Sequence, residues 1–253
     1  MPDDKNNVIA GHRIIHGRVN VLYSRYVDIA VENYYVLWKN MELIEKEKYV
    51  STDETREAQR TLENAAVIII VFSSMAIESY LNDYAASCLG DVEFYESFDK
   101  LSVLDKLRLI VQFIFRIEFV KNQPVYTHIR SLLADRNKVV HNKSEDFKKY
   151  ANRKGIQVPH TVEEVEECFG SIEDININVL MALDKESIND DVKMANNAIR
   201  ALRETAAFMD KSDPMERAYF RLLGSVFYKN GITGFEQKKI EVFRLFKIPT
   251  HIL

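Results

Sequence analysis

The chain has 253 residues, of which 47% are hydrophobic and 28% are charged, as in an ordinary soluble globular protein. Eight glycines and five prolines are few for this length and favour long helices over a turn-rich β fold. Two cysteines fit neither a disulfide framework nor a metal-binding spacing. The start of the chain lacks the apolar core of a signal peptide, so we expect a cytoplasmic location. The net charge of −4 does not by itself indicate nucleic-acid binding.

The apolar pattern predicts an all-α fold, a helical bundle of long antiparallel helices with additional C-terminal helices. After a polar arm over 1–17, we expect a first helix from about 18 to 49. Ser51 and Glu54 have the spacing of a capping box and predict the start of a second helix, which Gly90 ends. Its apolar stretch, 65–77, is too short for a confident membrane span and is interpreted as part of the central buried helix.

Ser102 and Asp105 predict the start of a third helix, which extends to about Phe119. A fourth helix, over 124–143, carries the main motif of the chain. A charged loop is expected over 144–160, followed by helices over 161–184, 190–209, 214–229 and 234–246. We therefore divide the chain into the arm 1–17, a helical bundle over 18–186, and a C-terminal helical extension, 187–253, packed on that bundle.

The fourth helix has the sequence PVYTHIRSLLADRNKVVHNK. Pro124 suits a first helical position, because its missing N–H group would be unpaired there. Asn142 follows the last apolar pair and can adopt the left-handed conformation that ends a helix. Arg136, Asn137 and His141 lie near this end. The helix therefore combines a permanently charged guanidinium with an imidazole, the side chain that titrates near neutral pH.

Arg136 and His141 are five residues apart, which separates them by about 140° around an α-helix. They do not share one narrow face, but both can flank an apolar stripe. A two-fold axis would bring two arginines and two histidines around one groove. Such a groove suits a phosphodiester, because arginine binds phosphate oxygens and imidazole transfers protons near pH 7.

The segment RNKVVH, 136–141, has the form Arg, four residues, His, with Asn directly after the Arg. With the preceding apolar helix that carries AIESYLN, 76–82, it resembles the ribonuclease-like branch of the HEPN superfamily (higher eukaryotes and prokaryotes nucleotide-binding domain) over roughly residues 18–186. In HEPN toxins that are paired with small nucleotidyltransferases, a Tyr lies two residues after the His. Here that position is Lys143, which places regulation by tyrosine modification at this site in doubt.

The resemblance implies a metal-independent endoribonuclease whose two protomers form a composite site from their Arg–His pairs. It assigns catalysis to Arg136, Asn137 and His141, with no metal and no cofactor. Glu78 and Asn82 are candidate supporting residues. A carboxylate beside an apolar segment needs a partner. Glu78 therefore either orients one of the two motif side chains, Arg136 or His141, or it pairs with another arginine of the bundle.

The motif lies in the one clearly basic segment of the chain. Residues 121–154 contain nine Lys or Arg and three Asp or Glu, a local charge of +6 against a background of −10. This segment is either a solvated loop or a surface that follows a phosphate backbone. The candidate RNA-binding residues are Lys138, Lys143, Lys148, Lys149, Arg153 and Lys154.

Together with the resemblance, these observations predict an endoribonuclease of HEPN type that cleaves RNA by transesterification through the 2′-hydroxyl; the resemblance implies a toxin or phage-defence role. The expected partners are RNA, a second copy of the chain in a homodimer, and a cognate antitoxin or regulator, with no membrane. The alternative is a non-catalytic dimeric helical module that binds RNA or protein.

Overall fold

The computed structural model describes residues 22–47, 52–141, 177–213 and 222–223, with side chains from residue 185 onward in the third of these ranges. These residues form an all-α fold with no strand among them, as the sequence predicts. The arm over 1–17, the charged loop over 144–160, residues 161–176 of the next predicted helix, most of the helix predicted over 214–229 and the helix predicted over 234–246 lie outside the described residues.

Six α-helices account for most of the described chain: α1 (Tyr23–Lys46), α2 (Asp53–Leu89), α3 (Asp91–Glu93), α4 (Val103–Leu109), α5 (Pro124–Val140) and α6 (Ile177–Ser212). Two π-helical turns adjoin the short helices. Phe94–Phe98 follows α3, and Ile110–Ile114 continues α4.

The start of α2 differs by one residue from the prediction. Thr52, rather than Ser51, is the N-cap, and its hydroxyl accepts a hydrogen bond from the Thr55 N–H at 3.1 Å. The Thr55 hydroxyl accepts one from the Thr52 N–H at 2.9 Å, which completes the box with threonine in place of the predicted glutamate. Gly90 ends the helix as predicted, with a φ of 88° that disfavours any side chain.

The third predicted helix is shorter than expected. Ser102 caps α4 as predicted, and its hydroxyl accepts a hydrogen bond from the Asp105 N–H at 3.2 Å. The helical segment ends at Ile114 rather than near Phe119, because a π-helical turn is followed by Arg116 with a φ of 58°. Apolar spacing continues past this point, so it could not reveal the break.

The helix over 190–209 was predicted to be separate from the one before it, which is wrong. Ile177–Ser212 is one continuous helix of 36 residues. The proposed division between 186 and 187 therefore falls inside α6. The described part of the C-terminal segment is an integral side of the bundle, in contact with α1, α2 and α5.

The four long helices alternate in direction. Tyr23 contacts Tyr80 and Tyr26 contacts Phe72, with ring centroids 5.3 and 5.7 Å apart, so α1 and α2 are antiparallel. Glu63 lies near Asp191 and Asp210 near Tyr80, so α6 runs parallel to α2. His128 lies near Glu204 and Asp135 near Lys193, so α5 is antiparallel to α6.

The helix α2 is the centre of this bundle and contacts α1, α4, α5 and α6. By length and composition it is also the one described helix that could cross a membrane, and 56% of its apolar window is buried within the protein. The core helix of a soluble protein has the same properties. Within the bundle, the α2 residues Leu62, Ile69 and Ile70 are fully enclosed.

Candidate functional site

The motif helix α5 begins at the predicted residue. Pro124 occupies its first turn, and the preceding Gln123 is extended, with φ −64° and ψ 142°. The helix ends at Val140, before the predicted stop at Asn142, which lies outside the described residues. His141 is the C-cap, with φ −99° and ψ 14°, and its backbone N–H donates to the Asn137 carbonyl at 3.0 Å.

Arg136 continues the buried side of α5. Val125, Ile129 and Leu132 are buried, and Arg136 follows Ile129 by seven residues and Leu132 by four, which returns it to the same side of the helix. Its side chain is half-buried. The core-facing stripe of α5 thus ends in a guanidinium where the core opens to solvent.

A hydrogen bond joins two of the candidate catalytic residues. Arg136 Nη2 donates to Asn137 Oδ1 at 3.1 Å, on an exposed part of the surface. The guanidinium has five N–H donors, so this bond leaves others available for an anion. Asn137 can therefore fix the direction of the arginine fork without consuming its binding capacity.

His141 is exposed, and among the described residues its ring makes no hydrogen bond to Arg136. The angular separation between the two positions keeps them on different sides of the helix end. At the end of α5, Arg136 therefore emerges from the core-facing side of the helix and His141 from the solvent-facing side.

The structure does not bring the candidate supporting residues to this end of α5. Lys138 and Glu63 both lie near Asp191, so the motif is level with the first half of α2. Glu78 is 15 residues further along α2, a rise of roughly 20 Å. Within the described chain Glu78 and Asn82 form no hydrogen bond with Arg136, and the Asn82 Oδ1 atom is buried without a hydrogen-bond partner.

Carboxylates that sequence reasoning missed lie beside the motif. Burial, reinforced by the like charges of Glu63 and Asp190, raises the pKa of Asp191 from 3.8 to about 6, and Lys138 opposes this shift. Burial also raises the pKa of Asp135, against the opposing charges of Lys138 and Lys193. We call these six residues of α2, α5 and α6 the carboxylate junction. The sequence carried one signal of this junction, the pair Asp135 and Lys138, which lie three residues apart on one helix.

Lys138 was predicted to bind RNA. Its side chain is exposed, and its charge acts on two carboxylates of the junction. The remaining candidate RNA-binding residues, Lys143, Lys148, Lys149, Arg153 and Lys154, lie outside the described residues. In the described ranges no group of three His, Cys, Asp or Glu side chains is placed to hold a metal ion.

Comparisons of the chain with protein-family models, with curated proteins and with solved structures find no match.

Proposed function

We propose that this protein is a metal-independent endoribonuclease of HEPN type. The observation that carries the proposal is the hydrogen bond between Arg136 and Asn137 at the open end of α5, next to an exposed His141. These three side chains supply an oriented phosphate-binding fork and a proton carrier, which are the groups that RNA transesterification requires.

In the proposed reaction, the 2′-oxygen of one nucleotide attacks the adjacent phosphorus. The neutral imidazole of one His141 accepts the 2′-hydroxyl proton as the new P–O bond forms. The P–O5′ bond breaks, and an imidazolium donates a proton to the leaving 5′-oxygen. Arg136 stabilises the negative charge on the phosphoryl oxygens, and the products are a 2′,3′-cyclic phosphate and a 5′-hydroxyl.

A homodimer supports this chemistry better than a single chain. Arg136 and His141 emerge on different sides of α5, so one helix end does not direct both at one phosphate. A second copy related by a two-fold axis would place an arginine of one protomer beside a histidine of the other. The proposed setting is a cytoplasmic toxin or phage-defence protein that is controlled by a cognate antitoxin or regulator.

The test is cleavage of a mixed RNA pool by purified protein in the presence of a metal chelator. We expect His141→Ala and Arg136→Ala each to reduce the rate by about 100-fold or more, because general acid–base catalysis typically contributes about 10²–10⁴-fold. Arg130→Ala is the matched control, since Arg130 is an exposed arginine of the same helix outside the motif. Equal rates for the wild type and both motif variants would contradict the proposal.

A non-catalytic dimeric module that binds RNA or protein is the second candidate. It is favoured by exposed apolar side chains far along the chain from the motif, notably Phe113 at 69% and Tyr95 at 61% exposure. Binding of RNA or of a partner protein, with no cleavage by the wild type, would support this module over the nuclease.

A further inference from the structure

The central helix α2 has apolar side chains on a side that does not face the core. Only 56% of its most apolar window is buried within the protein. Val67 is 43% exposed. Ile68, Val71 and Met75 are half-buried, but among the described side chains they belong neither to the apolar core nor to the residues packed against it. Together these four residues form an apolar strip along the outside of α2.

Two residues of opposite charge lie at the ends of this strip. Arg60, Val67, Val71 and Glu78 follow one another at intervals of seven, four and seven residues, so they share one side of the helix. At 1.5 Å per residue, Arg60 and Glu78 are roughly 27 Å apart along the axis. We call these four residues the α2 outer face. It is positive at one end, apolar in the middle and negative at the other end.

Neither charge of the α2 outer face has a strong partner within the described chain. Arg60 Nη1 is 3.7 Å from Glu57 Oε2, and the two side chains are 75% and 71% exposed, so this pair contributes little. Glu78 is half-buried and makes no hydrogen bond or ion pair in the described ranges. A carboxylate beside an apolar surface is stabilised by an opposite charge, and Glu78 has none on its own bundle.

The α2 outer face is complementary to a second copy of itself. A two-fold axis that crosses α2 at the level of residue 69 relates position 60 to position 78, and position 67 to position 71. Each Arg60 then meets Glu78 of the partner subunit, and Val67 meets Val71 of the partner subunit between the two charged pairs. Parallel helices would instead place like charges together, and a partner of uniform charge would match only one end of the face.

We propose that the α2 outer face is an interface between two copies of this chain, packed antiparallel about a two-fold axis at the level of residue 69. The apolar centre supplies the buried area, and the Arg60–Glu78 pairs at its two ends fix the direction and register of the helices.

This interface goes beyond the proposed function and does not rest on it. The motif is level with the first half of α2, whereas the axis crosses the middle of that helix. The axis therefore directs the two motifs towards opposite ends of the helix pair and does not bring them to one phosphate. The contact through α2 is a second one, which is compatible with the composite site in an assembly of more than two chains.

The test is the mass of the purified protein, measured by analytical ultracentrifugation over a range of concentrations. The wild type forms an assembly of at least two chains. Arg60→Glu and Glu78→Arg each place like charges at both ends of the interface and should raise its dissociation constant about tenfold or more, because juxtaposed like charges are strongly unfavourable. Val67→Asp should do the same by placing a carboxylate in the apolar centre.

Matched controls make the same changes away from the α2 outer face. Arg25→Glu and Glu32→Arg reverse exposed charges of α1, and Val92→Asp alters a valine of α3 that is 74% exposed. These three variants should keep the mass of the wild type at every concentration.

Restoring the charge pairs separates a lost interface from a damaged fold. The double variant Arg60→Glu with Glu78→Arg exchanges the two charges and should regain the wild-type mass. An equimolar mixture of the two single variants should also associate, because every charged pair in the mixed dimer then joins opposite charges.

Three results would overturn the interface. The first is a wild type with the mass of one chain at every concentration, and the second is an unchanged mass for all three variants of the face. The third is a loss of assembly that neither the double variant nor the mixture restores. RNA cleavage is a separate readout: its absence, with the charge-dependent change of mass present, contradicts the ribonuclease proposal alone.

Discussion

The core formed by α1, α2 and α6 differs sharply from the end of α5. In the core, apolar side chains are fully enclosed, and the buried Tyr34 hydroxyl donates to Asn196 Oδ1 at 2.8 Å. At the end of α5, Val140 is 56% exposed, Arg136 is half-buried, and burial together with the like charges of Glu63 and Asp190 opposes the ionisation of Asp191. The first region is built for stability. The second retains unfavourable charge, as is common where side chains are kept for function.

The largest expected effect on stability comes from creating a cavity in the core. Leu62 is fully buried in α2, so Leu62→Ala should reduce the free energy of unfolding by about 2–5 kcal/mol through lost burial and a residual cavity. Val140→Ala, at the end of α5, should change it by less than about 0.5 kcal/mol. Urea denaturation of both variants measures this contrast. Similar losses at the two positions would show that the end of α5 is packed as tightly as the core.

A smaller loss of stability is expected from removing the buried hydrogen bond between α1 and α6. Tyr34→Phe removes the donor to Asn196 Oδ1 and should reduce the free energy of unfolding by about 1–2 kcal/mol, because a buried acceptor loses its partner. Tyr95→Phe is the control, since that ring is exposed. Equal urea midpoints for Tyr34→Phe and the wild type would show that this bond contributes nothing to joining the two helices.

The third effect has the opposite sign and depends on pH. The pKa of Asp191 is about 6 in the folded protein against 3.8 ordinarily, so the folded state binds this proton more tightly than the unfolded state. The contribution of Asp191 to stability is therefore greatest below about pH 3.8 and is lost as the pH rises through about 6.

Asp191→Asn should accordingly raise the free energy of unfolding at about pH 7.5 by roughly 1–2 kcal/mol, after allowance for the partial exposure of the carboxyl group. The gain should shrink as the pH is lowered and become small near pH 4. Chemical denaturation across this range measures it. A variant that is less stable than the wild type at about pH 7.5 would contradict the unfavourable burial of this charge.

The fold was largely accessible from the sequence because the long helices carry strong local signals. Pro124, Gly90 and Ser102 mark helix ends through backbone chemistry that acts within a few residues. The break after Ile114 and the continuity of α6 were missed, because apolar spacing persists through the first and polar residues interrupt the pattern of the second.

The candidate site could be predicted only in part from the sequence. The sequence predicted the motif on α5, and the helical period alone separated Arg136 from His141. The distance of Glu78 from the motif and the approach of Asp191 to Lys138 depend on the register between helices, which no local pattern records. The proposed catalytic roles themselves remain a prediction.

The most direct test of the central claim is the chemistry of the ends left on cleaved RNA in the presence of a chelator. The account predicts 2′,3′-cyclic phosphate and 5′-hydroxyl ends from the wild type, a block at any nucleotide whose 2′-oxygen is methylated, and neither product from His141→Ala. Cleavage that leaves 5′-phosphate ends, or that continues at methylated positions, would contradict it.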